Sequence, residues 1–109
     1  MTMNKDLLME RMTDNLPVLR KKLKLSQEAL AQVIGSSRYT VMLMDLRKRK
    51  MTWNTFLSLV LLFDKNPDTS ILLRALGIYT DEFDSFIKLE LKEQTLQEET
   101  RTSEEELFR

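Results

Sequence analysis

The chain has no histidine, no cysteine, and only two glycines and two prolines in its 109 residues. Each absence removes a class of chemistry. Without imidazole or thiol there is no zinc or iron–sulfur site of the usual kind, no disulfide framework, no thiol nucleophile and no Ser-His-Asp triad. Gly35 and Gly77 stand alone, so no glycine-rich loop can cradle phosphates. The longest apolar run, Leu59 to Phe63, is far too short to span a bilayer. The N-terminal stretch carries Asp6 and Glu10 and has no small-residue cleavage site, so no secretory signal is expected. Lack of cysteine fits a reducing cytoplasm. Catalysis would be left to carboxylates alone. A magnesium-dependent nuclease would need metal-ligand spacing that the chain does not offer, so no enzyme, no catalytic residue, no metal and no cofactor is expected.

What is abundant is helix chemistry. Leu, Met, Lys, Glu and Gln dominate while helix breakers are rare, which points to an all-α fold. Acids and bases balance at 17 each, but not along the chain. Residues 14 to 50 hold nine bases and three acids, a local charge of +6, and residues 51 to 109 hold six bases and twelve acids, a local charge of −6. A basic segment joined to an acidic one suggests a surface for a polyanion beside something kept away from it, although charge runs are also what solvated helix faces look like.

Caps and breaks divide the chain. Asn4 can cap a short first helix with Leu7, Leu8 and Met12 inward, and Asp14 or Asn15 a second one to about Leu23, with Pro17 in its first turn. Ser26 caps a helix that Gly35 ends, Ser36 or Ser37 caps the next, and Thr52 or Asn54 opens one reaching about Phe63. Asn66-Pro67-Asp68 is a break. A short helix from Thr69 to Leu76 closes at Gly77, and Thr80 opens a longer one with Phe83, Phe86, Ile87 and Leu91 on one face. From Glu90 the apolar density falls to Leu91, Leu96, Leu107 and Phe108 among acids, a solvated helix extension or a disordered tail. These divisions give an N-terminal helix over 1–13, a central domain over 14–65 and an acidic, helical C-terminal extension over 66–109. Arg20 to Lys24 reads as a solvated face, and Trp53 as a core or domain-edge aromatic.

The segment Gln27 to Leu46 carries the functional signal. Counting from Gln27, apolar residues fall at places four, eight, fifteen and eighteen (Leu30, Ile34, Val41, Met44), a small residue at place five (Ala31) and glycine at place nine (Gly35). Two short helices crossing steeply need a small contact residue and a left-handed hinge. With Leu19-Arg20-Lys21-Lys22 before it, then Leu25 to Ala31, Ile34-Gly35 and Ser37-Arg38, the stretch from Asp14 to Phe63 resembles the helix-turn-helix of the phage-repressor/Cro-like (XRE) family of DNA-binding regulators.

The resemblance implies a lambda-repressor-like helical bundle. It implies that Gln27 touches a DNA phosphate at a helix N-terminus. It also implies that the helix from Ser37 enters the major groove, with Ser37, Arg38, Tyr39 and Leu43 at base-reading places and Thr40 at a backbone-contacting one. Arg38 can hold guanine O6 and N7 bidentately. Arg47, Lys48, Arg49 and Lys50 would clamp phosphates beyond the groove. Two departures stand out: Arg47 replaces the glycine that usually follows the recognition helix, and Met42-Leu43-Met44 is apolar where relatives are often polar, so that Leu43 faces DNA or a partner. The expected function is sequence-specific duplex DNA binding that regulates transcription, most simply as a cytoplasmic repressor. The expected partners are double-stranded DNA and a second copy in a homodimer, which Phe83, Phe86 and Ile87 could serve if they are not core. A rival reading is a protein-interaction module, antitoxin-like or scaffold, using the acidic C-terminal helices.

Overall fold

The computed structural model describes residues 3–89, and the acidic stretch from Glu90 onward, with Leu91, Leu96, Leu107 and Phe108, lies outside the described residues. Among the described residues there are six α-helices and no strand: α1 (Lys5–Lys22), α2 (Gln27–Ile34), α3 (Arg38–Asp45), α4 (Trp53–Lys65), α5 (Pro67–Ala75) and α6 (Asp81–Ile87). The all-α class read from composition is the observed one. No helix among them is long and apolar enough to cross a membrane. Among the described residues, Asn4–Tyr79 form one compact unit, and 80–89 belong to a second.

The two N-terminal helices expected from the caps are one. Asn4 does cap, its side chain accepting from the Leu7 N–H at 3.0 Å, but the helix then runs through Pro17 to Lys22. Asp14 and Asn15, expected to start a new helix, lie inside this one instead. Thr13 Oγ1 donates to the Met9 carbonyl and Asn15 Nδ2 to the Arg11 carbonyl, both at 2.8 Å, which ties them into the turn behind them. A proline inside a helix costs about 3 kcal/mol. Leu8, Met12, Leu16 and Leu19 lie fully buried along one face across that proline, and burying each such side chain contributes about 1.5–3 kcal/mol. Packing therefore overrides the local break. Leu7, expected inward, is exposed.

Helices α1, α3, α4 and α5 pack around a core that includes Leu16, Leu19, Val41, Met44, Phe56, Phe63 and Leu73, with α2 lying against α3 and α4. Ser26, Ser37 and Thr52 each accept a hydrogen bond from the amide three residues on, fixing the starts of α2, α3 and α4. The break at Asn66-Pro67 takes one residue: Asn66 ends α4 and precedes Pro67, the first residue of α5, where no N–H is needed. Fully buried Thr69 donates from Oγ1 to the Phe63 and Asn66 carbonyls, satisfying its hydroxyl at the joint. Alongside it, Arg74 reaches Asp64 at 2.7 Å and lies over the Tyr79 ring at 4.3 Å. The hydrogen bond from Arg74 holds the Asp64 carboxyl below its ordinary value; burial opposes the shift, and the Ser70 hydroxyl and the charges of Arg74 and Lys65 assist it.

The helix opened by Thr80 is shorter than its apolar spacing implies. It ends at Ile87, where Leu89 turns into the left-handed region at φ 60° and donates to the Phe86 carbonyl. Phe83 is buried, Phe86 half-buried and Ile87 exposed, so these residues do not form one sequestered face.

Candidate nucleic-acid interface

Two eight-residue helices, α2 and α3, are joined by a turn with a conformational requirement. Gly35 sits at φ 70°, and the Ser36 N–H bonds back to the Ala31 carbonyl at 2.8 Å. This is the left-handed C-terminal geometry that glycine adopts without strain. Leu30, Ala31, Val41 and Met44 are buried and Ile34 is half-buried, so the spaced apolar set faces the core as its pattern predicts. The opposite side of the first turn of α3 carries Ser37, Arg38 and Tyr39, all exposed, with Tyr39 at 62%. Thr40 and Leu43 are half-buried. Leu43 is thus partly withdrawn from the outer face that the apolar run suggested for it.

The end of α3 retains its turn without the usual glycine. Arg47 itself adopts φ 59°, its N–H reaching the Met44 carbonyl at 3.0 Å while the Lys48 N–H reaches the Leu43 carbonyl at 2.8 Å. Two orphan carbonyls of the last turn are thereby satisfied. Lys24 closes α1 in the same way at φ 57°, with Leu25 N–H bonded to the Arg20 carbonyl.

Arg47, Lys48, Arg49 and Lys50 are all exposed. Arg49 donates to Thr40 Oγ1 at 2.9 Å, and Thr40 Oγ1 lies 2.9 Å from Ser37 Oγ, a chain of hydrogen bonds from the basic loop back to the start of α3. Four of the predicted residues are thus brought together: Ser37, Arg38, Tyr39 and Thr40 at one helix end, with Arg49 tied to them. Arg47 turns the other way, with Nη1 3.5 Å from Asp14 Oδ1. The loop and α1 enclose a cleft of about 710 Å³, lined by Asp6, Met9, Glu10, Thr13 and Asp14 on one wall and residues 47–51 on the other.

Gln27 stands in the first turn of α2, where it was expected, and its side chain has a partner within the protein. Its Nε2 donates to Asp45 Oδ2 at 3.0 Å, and the same oxygen accepts from Arg20 Nε at 3.2 Å and Nη2 at 3.0 Å. Arg20 also donates to the Leu25 carbonyl at 2.8 Å. The side chains of Arg20 and Asp45 are only 12% and 6% exposed. Arg20 is therefore not part of a solvated face; the pair is a buried clasp fastening the ends of α1, α2 and α3. What Gln27 still offers outward is its second amide hydrogen and its position in the first turn of α2. Sequence reasoning missed Arg20 and Asp14 as partners, since the residues that complete them stand 25 and 33 positions away. The one available signal was that Asp45 is the sole acid between Glu28 and Asp64.

Trp53 is half-buried, stacked on Phe56 with ring centroids 4.8 Å apart and with Lys5 Nζ 5.0 Å above the indole. That is the domain-edge placement read from sequence. No family model, no curated protein and no solved structure matches this chain.

Proposed function

We propose that this chain binds duplex DNA in a sequence-dependent way and regulates transcription, as the resemblance of its central segment to the phage-repressor/Cro-like family suggests. The observation that carries the reading is the exposed first turn of α3. Arg38 and Tyr39 project there beyond a buried seam, across a left-handed turn from α2, with four exposed cations immediately after the helix. A short helix of this kind fits the major groove, and its first residues then meet base edges. The loop cations supply affinity independent of sequence, and Arg38 supplies discrimination. Ser37 and Thr40, held together and to Arg49, suit phosphate contacts that fix the helix in register. The role implies a cytoplasmic protein, and a second copy would set two recognition helices about one DNA turn apart.

Selection of binding sites from a random duplex pool, followed by a salt titration on the enriched sequence, tests the proposal. Several phosphate contacts give an affinity that falls steeply and linearly in log salt. An enriched palindrome would support the homodimer. No enrichment together with a flat salt response would refute DNA binding and favour the protein-interaction reading.

A further inference from the structure

The wall facing the basic loop is acidic. Asp6, Glu10 and Asp14 recur at four-residue spacing along one side of α1 and line the cleft opposite Arg47 to Lys50. The closest approach is an ion pair, Asp14 to Arg47 at 3.5 Å, with side chains 46% and 63% exposed. Carboxylates placed this way offer the loop cations the kind of anionic oxygen that a phosphate would otherwise supply.

We propose that this α1 stripe, through Asp14, is an autoinhibitory contact that competes with the DNA backbone for Arg47. The inference rests on the DNA-binding reading and adds a regulator of the same surface. In the free protein Arg47 is already partly neutralised. To engage a phosphate it must leave Asp14, and the released carboxylate then attracts a cation from solution. Binding therefore exchanges one ion pair for another and releases fewer counterions than the number of loop cations implies. The consequence is a lower affinity at low salt and a shallower salt dependence than an unopposed four-cation loop would give. Because the pair is exposed, its effect is small and easily relieved, which suits a contact that must yield to DNA.

The test is a titration of a fluorescent duplex across a range of potassium chloride concentrations with the full chain, Asp14→Asn, Arg47→Met, the double variant and Asp68→Asn as a charge-matched control on exposed α5 surface. Asp14→Asn is expected to tighten binding about two- to fivefold at low salt. It should also steepen the log–log slope by up to about 0.9, the increment of one further phosphate contact. In the Arg47→Met background the same Asp14 change should have no more effect than Asp68→Asn, and Asp68→Asn should do less than Asp14→Asn in the intact background. If the unaltered chain binds DNA and Asp14→Asn matches it in affinity and slope, the inference falls while DNA binding stands. An equal gain from Asp68→Asn, or an undiminished gain without Arg47, would reduce the effect to net charge and overturn the pairing. Absence of DNA binding by every variant would overturn both readings.

Discussion

Removal of the Asp45 carboxylate should be the most damaging single polar change in the folded unit. Its Oδ2 accepts three donors, two from Arg20 and one from Gln27, at 3.0–3.2 Å. Asp45→Ala leaves a guanidinium side chain that is 12% exposed, with the Leu25 carbonyl as its remaining hydrogen-bond acceptor. Breaking a buried pair by removing one member costs about 3–5 kcal/mol. The Leu25 bond survives and some water reaches Arg20, so the lower end, about 3 kcal/mol, is the expected loss. For a unit of this size that lowers Tm by roughly 12–24 °C. Asp45 Oδ1 is buried without a hydrogen-bond partner, so the clasp is itself imperfectly satisfied. Replacing both partners by apolar side chains, as in Arg20→Met with Asp45→Leu, should therefore bring stability back to within about 1 kcal/mol of the native chain. Urea unfolding followed by far-UV circular dichroism measures all three chains. A loss below about 1 kcal/mol for Asp45→Ala would mean that the clasp behaves as a surface pair and would refute the reasoning. A double variant as unstable as the single one would show that the damage does not come from stranding the Arg20 charge.

Other outcomes follow from the same geometry. Gly35→Ala should cost about 1 kcal/mol, the strain of a left-handed alanine with open space around it, whereas Gly77→Ala should cost about 2 because its new Cβ would stand 2.9 Å from the Arg11 Nη1 that donates to the Gly77 carbonyl. Equal urea midpoints for the two would exclude the Arg11 contact as a factor. Lys24→Gly should raise stability by about 0.5–1 kcal/mol by relieving a non-glycine left-handed residue, net of the added freedom of the unfolded chain; a lower midpoint would contradict this. The Asp64 carboxyl has a folded pKa below its ordinary 3.8, so its contribution is fully present above that value and is lost as pH falls through the folded one. Asp64→Asn should accordingly flatten the fall in stability between about pH 4 and pH 2, and an unchanged acid profile would count against the Arg74 bond. Arg38→Ala should weaken the preferred site by about 1–3 kcal/mol and relax discrimination at one base pair, which competition binding distinguishes from uniform loss.

Local signals were readable where the responsible atoms lie within a few residues of each other. The hydroxyl caps at Ser26, Ser37 and Thr52, the left-handed Gly35 and the spacing of Leu30, Val41 and Met44 all act over distances of three or four positions, and each is found where its pattern predicts. Errors arose where tertiary contacts override them. The apparent caps at Asp14 and Asn15 gave way because Leu8 through Leu19 bury one unbroken face across Pro17. Arg20 looked like one more cation in a basic run, and only the fold brings Asp45 to it. Arg47 stands where the resemblance leads one to expect glycine, yet the backbone keeps the left-handed turn and accepts its strain. The candidate reading surface was legible as a set of residues. The ties among them, Arg49 to Thr40 and Asp14 to Arg47, were not, since no periodicity encodes contacts between a loop and a helix.

The contacts of Trp53 with Lys5 and Phe56 give the molecule a built-in gauge. The chain has one tryptophan, and its ring meets both Lys5, in the first turn of α1, and Phe56, one turn further along α4. Detachment of the α1 end would remove a nearby ammonium and admit water to the indole while leaving the Phe56 stack in place. Emission from the native chain can therefore separate a partial undocking from complete unfolding, each with its own equilibrium constant and without an attached dye.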